Sequence, residues 1–115
     1  EMNEEIPLSQ RVCEPCHGQT ASLSPDQIDS WLPQLNGWQC QEHHHLVRVF
    51  EFKDFVSALE HVNLVSKVAE ELGHHPNISF TWGRVEICIW THAVDGLTEA
   101  DFVLAAKIDC CEKEN

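Results

Sequence analysis

Between residues 46 and 89 the apolar side chains change period twice, and that change sets what the chain can fold into. Leu46, Arg48, Phe50 and Phe52 alternate with Val47, Val49 and Glu51, which puts one set on each face of a strand. From Phe55 the spacing lengthens: Phe55, Leu59, Val62, Val65, Ala69 and Leu72 fall three or four apart, as along one side of a helix. Alternation returns with Ile78, Phe80 and Trp82, then Val85, Ile87 and Ile89, and the spacing predicts a hairpin whose tight turn has Gly83 at its first central position. On the last strand Glu86, Cys88, Trp90 and His92 share the opposite face.

The flanks extend the pattern. Trp38 and Cys40 alternate with polar neighbours, so a strand there pairs with the next one across residues 42–45. Before it, Ser24 is placed to cap a short helix, with Pro25 at the first helical position, Asp26 in the first turn and Gln27 completing a capping box; Pro33 marks its end. Gly73 is placed to close the long helix in the left-handed conformation. Thr98, followed by Glu99 and Asp101, opens a last helix carrying Phe102, Ala105 and Ala106. The order helix, strand, strand, helix, strand, strand, helix implies an α+β fold, a four-stranded antiparallel sheet with helices packed on one face. The other face is then solvated or covered by a second subunit. A chain of 115 residues has one core, taken here as residues 23–115, and residues 1–22, polar and broken by Pro7, Pro15 and Gly18, read as an N-terminal arm.

Charge narrows the function. Seven basic against 19 acidic residues give a net charge of −12, which excludes a footprint for nucleic acid backbones or anionic membranes. No apolar run approaches a bilayer span and the first residues carry no secretory signal pattern, so the expected location is the cytoplasm. The six cysteines do not form a spaced framework, Cys110 and Cys111 being neighbours, and are expected to be mostly thiols. No phosphate-binding glycine loop, dinucleotide fingerprint or serine elbow is present.

What remains is histidine chemistry. His74 and His75 follow a helix end, where the dipole and Glu70, one turn back, favour a proton-carrying imidazole. His92, at the end of the fourth strand, can approach them, and with Glu70 and Asp101 they could share a pocket walled by a tryptophan. Metal binding competes through Cys13, Cys16 and His17, though a single CxxC has no second ligand pair; the pair reads first as a plain polar arm, with half a zinc site or a redox dithiol as the functional alternatives. His43, His44 and His45 read as a solvated turn.

In order, the chain reads Glu70, three residues, His74-His75-Pro76, five residues, Trp82, nine residues, His92, eight residues, Asp101. With "FEFKDF" at residues 50–55 and "THAVDGLTEAD" at 91–101, this resembles the pterin-4a-carbinolamine dehydratases over residues 23–108. The resemblance implies a hydro-lyase dehydrating a 4a-hydroxytetrahydropterin to the quinonoid dihydropterin in tetrahydrobiopterin recycling, alongside an aromatic amino acid hydroxylase. It implies His74, His75 and His92 as catalytic, and Glu70, Trp38 and Asp101 as substrate-binding or orienting. It also implies a homodimer or homotetramer, with the pterin as substrate and no metal or organic cofactor. Many members carry a cysteine where this chain has Val94, so a thiol role there is lost. The CxxC arm is more like bacterial members, which implies phenylalanine hydroxylase as the linked enzyme. Animal members also serve as dimerisation cofactors of a homeodomain transcription factor, so a non-catalytic interaction module on the same scaffold is the alternative.

Overall fold

The computed structural model describes residues 7–10 and 21–113. Its elements are α1 (Pro25–Trp31), β1 (Gln39–Gln41), β2 (His45–Glu51), α2 (Phe55–Leu72), β3 (Asn77–Thr81), β4 (Arg84–Ile89) and α3 (Glu99–Lys113). The strands form one antiparallel sheet in the order β1-β2-β4-β3. The two hairpins are therefore joined through their second strands, with Leu46 opposite Ile89 and Phe50 opposite Val85.

Alternation along the strands makes the sheet one-sided. Leu46, Phe50, Val85, Ile87 and Ile89 are buried against the helices, while on the other face Val49 is exposed and Cys88 half-buried. The capping box of α1 forms as its sequence indicates: Gln27 N–H donates to Ser24 Oγ at 3.2 Å and Ser24 N–H to Gln27 Oε1 at 3.0 Å. Asp54 caps α2 by accepting the Ser57 N–H at 2.8 Å.

Three local expectations need correction. The buried stripe of α2 is Ala58, His61, Val65 and Ala69, while Phe55 and Leu59 stay exposed, Phe55 leaning on Phe80 with ring centroids 4.9 Å apart. A histidine, which a search for apolar spacing passes over, holds the core position: His61 lies 4.3 Å from the Phe50 ring and 5.2 Å from that of Phe52. Secondly, the β3–β4 turn is Trp82-Gly83, because Thr81 pairs with Arg84. Gly83, at φ 73°, takes the second central position, where a positive φ suits glycine, and Trp82 leaves the strand for solvent, 65% exposed.

Of the helices, α3 rather than the longer α2 is the most deeply buried. Residues 102–106 and Ile108 are all buried, and Phe102 meets the edge of Trp31 at 5.6 Å. Finally, part of the N-terminal arm packs: Leu8 is buried in the core, and Lys107 Nζ donates to Ser9 O at 2.8 Å. Cys13, Cys16 and His17, the candidate metal or redox arm, lie outside the described residues.

Candidate active site

α2 ends where its sequence stops it. Gly73 at φ 75° turns the chain off the helix, and the N–H groups of Gly73 and His74 both donate to Ala69 O, at 2.9 and 3.1 Å. The two histidines then diverge. His74 turns inward, its side chain only 11% exposed, and its Nε2 donates to Asp101 Oδ1 at 2.6 Å. His75 turns outward and its Nε2 donates to Glu70 Oε2 at 2.7 Å, with both side chains mostly in solvent.

Asp101 is wholly buried and its second oxygen is the hub of a network. Oδ2 accepts from the Thr98 N–H and from Thr91 Oγ1, each at 2.8 Å, and Thr91 Oγ1 lies 2.9 Å from Thr98 Oγ1. The Thr98 contact is the reciprocal half of a capping box, the third helical residue reaching back to the amide that precedes α3. One carboxylate thus starts the helix, fixes the strand end at Thr91 and binds His74.

His92 follows Thr91 directly, at the start of a one-turn 3-10 helix, His92–Val94. Thr91 and Gly96 close this loop at its base, Thr91 N–H donating to Gly96 O at 2.9 Å. The His92 ring stacks on Trp90, with centroids 4.4 Å apart and planes 8° from parallel.

The sequence-derived site residues therefore separate into three groups. His74 and Asp101 are in direct contact, and Asp101 reaches the His92 loop through Thr91. Glu70 contacts His75 at the surface. Trp38 does not join them: it is buried among core residues, edge-on to Phe50, and its Nε1–H donates to Asp109 Oδ1 at 2.8 Å. Asp109 lies eight residues beyond Asp101 on α3, about 12 Å along the axis at 1.5 Å per residue. Through this bond Trp38 braces the segment leading into β1 against α3. Asp101, with no exposed surface and both oxygens engaged, is likewise an anchor rather than a surface for a ring.

Asp109 also accepts from Arg48 Nη1 at 2.6 Å and from Asn36 N–H at 2.9 Å. Burial pushes its carboxyl above the usual range, against the pull of these donors. Burial raises the Cys40 and Cys88 thiols too, so neither is a ready nucleophile at neutral pH. Among the described residues no group of three histidine, cysteine or acidic side chains is arranged to hold a metal, and no helix is long and apolar enough to cross a membrane.

What the arrangement can do follows from hydrogen-bond inventory. A carboxylate can only accept, so Asp101 fixes the His74 tautomer with its proton on Nε2 and leaves Nδ1 to exchange a proton with a bound molecule. Sequence reasoning named both residues but not their pairing, since 27 positions separate them.

The fold and this pair define a small one-sheet α+β protein with a buried histidine–aspartate couple beside two surface histidines. Residues 21–111 match the family model described as pterin 4 alpha carbinolamine dehydratase. A protein of Rubrobacter xylanophilus, provisionally named a pterin-4-alpha-carbinolamine dehydratase, is 48% identical over 89% of this chain and 95% of its own length. A protein of Alkaliphilus metalliredigens with the same provisional name is 44% identical over 93% and 97%. Among solved structures, a transcriptional coactivator/pterin dehydratase from Brucella melitensis superposes with a TM-score of 0.73 at 32% identity, covering 77% of this chain and 96% of that one. A pterin dehydratase-like protein described as a RuBisCO assembly factor of the alpha-carboxysome does so with a TM-score of 0.56 at 26% identity, over 65% and 88%. The chain belongs to the pterin-4a-carbinolamine dehydratase family.

Proposed function

We propose that the protein is a hydro-lyase that converts a 4a-hydroxytetrahydropterin to the quinonoid dihydropterin. In this reaction the C4a–O bond breaks, the oxygen leaves as water after gaining a proton, N5 gives up its proton, and a C4a=N5 double bond forms. Hydroxide is a poor leaving group, so a donor at the 4a oxygen and an acceptor at N5 are the groups that accelerate it. His74, with Nδ1 left open by its bond to Asp101, is one of these and His92 the other. His75, charged or oriented by Glu70, holds the pterin ring. No electron passes to an acceptor, so the step needs no metal or organic cofactor, and the pterin is the substrate.

The observation that carries the reading is the Asp101 hub, which ties His74 and the His92 loop to one carboxylate within a chain of this family. The place of the reaction is the recycling of tetrahydrobiopterin after aromatic amino acid hydroxylation, in the cytoplasm. The test is the decay of a 4a-carbinolamine generated by a hydroxylase, followed with and without the protein. Wild type should accelerate it, and His74→Ala and His92→Ala should each lose about 10²-fold or more in kcat. No acceleration over buffer by wild type would end the dehydratase reading.

A second reading, a non-catalytic interaction module, rests on the exposed apolar stripe Phe55, Val56 and Leu59 on α2. The same stripe supports a homodimer or homotetramer, which sedimentation measures. Oligomers with no acceleration of dehydration would favour the module.

A further inference from the structure

His74 and His75 each have a carboxylate to set their rings, but among the described residues the His92 ring has no hydrogen-bond partner. Its orientation must come from elsewhere. Two features point to the source. The first is Trp90, on which His92 lies nearly parallel. The second is the β1–β2 turn: His44 Nε2 donates to Asp95 Oδ1 at 2.8 Å, clasping the far end of the His92 loop.

The turn is shaped for that reach. Glu42 and His43 both sit at positive φ, 58° and 52°, at a cost of roughly 1 kcal/mol each for residues that are not glycine. His44 then stands beside His45, Nδ1 to Nδ1 at 3.0 Å, one ring donating and the other accepting. Both rings meet Trp90, with centroids at 5.5 and 5.9 Å. His45 is held in turn by Gln41, Nε2 to Oε1 at 3.2 Å. Asp95 itself adopts φ 53°, a conformation that aspartate tolerates better than most residues.

We infer that His44, acting through Asp95 and the Trp90 platform, is a positioning residue that sets the His92 ring for proton transfer. Thr91, bound to Asp101, fixes one end of the loop and the His44–Asp95 bond fixes the other, so the ring keeps one face on Trp90 and one for the substrate. The inference rests on the role proposed above for His92, and its first readout does not depend on that role.

That readout is the proton NMR of the His92 ring, assigned by comparison with His92→Gln. Stacked on Trp90, its carbon-bound protons should resonate upfield of ordinary imidazole positions, and His44→Ala and Asp95→Gly should each move them back. Asp95→Gly removes the carboxylate while permitting the left-handed φ, and Asp95→Asn, which keeps an oxygen acceptor, should restore part of the shift. In the dehydration assay His44→Ala should lower kcat about 10-fold with KM within about twofold, the pattern of misplacement rather than lost binding. Combining His44→Ala with Asp95→Gly should add little, because both act through one bond. His44→Ala with unmoved ring protons overturns the inference, as does an equal loss of kcat when His92 is already alanine. If wild type fails to accelerate dehydration, the proposed chemistry falls while the ring shifts still decide whether His44 positions His92.

Discussion

Replacing Asp101 by asparagine removes one charge and almost no volume, yet it should reverse the proton arrangement of His74. The carboxylate accepts on both oxygens, from His74 Nε2 on one and from Thr98 N–H and Thr91 Oγ1 on the other. An amide has one accepting oxygen. Two donors hold it on the Thr98 side, which turns the NH2 toward His74. Two N–H groups then face each other in a largely buried site, at about 1–3 kcal/mol if unrelieved. The ring relieves it by moving its proton to Nδ1, the atom assigned to the substrate. An imidazole in the wrong tautomer should cost on the order of 10²- to 10⁴-fold in kcat. The threonine bonds weaken from charge-assisted to neutral, roughly 1 kcal/mol each and about 2 kcal/mol at most, because a neutral amide is easier to bury. For a domain of this size that is a fall in Tm of about 5–10 °C. Nitrogen-15 shifts of the His74 ring report the tautomer, the carbinolamine assay reports kcat, and thermal denaturation reports the stability. An Asp101→Asn protein that keeps His74 protonated on Nε2, or keeps kcat within about twofold of wild type, refutes the reasoning.

Arg48→Ala should strand the Asp109 carboxylate, both side chains being about nine-tenths buried in a 2.6 Å pair, and cost about 3 kcal/mol in urea unfolding at neutral pH. Because burial already raises the Asp109 pKa, the folded state holds that proton more tightly than the unfolded one. Stability therefore falls as pH rises through the window above the unfolded value, and the Arg48→Ala penalty should shrink as pH is lowered through it. A pH-independent penalty would contradict this. Asp54 has the opposite sign: the Ser57 N–H lowers its pKa, so its contribution is present above the unfolded value and lost as pH falls through the folded one. Asp54→Asn keeps the cap and cannot ionise, so its Tm should fall less than that of wild type between pH 5 and pH 2; parallel curves would refute the assignment.

Most of the architecture was legible because its signals are local. Ser24, Gln27 and Gly73 act within one helical turn of themselves, and the changes of period mark where strands give way to helices. What was missed depends on which residues pair. The Trp82-Gly83 turn is set by the register of Thr81 against Arg84; moving the turn by one residue shifts the pairing by two, which leaves the alternation unaltered. His61 is buried because Phe50 and Phe52 from β2 close over it. At the site, the histidines and carboxylates could be named from their order, but not who touches whom: Trp38 went to Asp109, and His44, read as part of a solvated turn, reached 51 positions along the chain to Asp95.

The double duty of Asp101 bears on how related chains should be compared. A family member that abandoned its chemistry would still need a carboxylate to begin its last helix and tie down the threonine before the loop, so selection for folding alone would preserve that aspartate. His74 carries no such obligation, being a residue of the connecting segment after α2. Across a set of relatives, then, the aspartate should mark descent alone. Under the chemistry proposed above, the histidine it grips is the position whose loss would separate a retired scaffold from a working one.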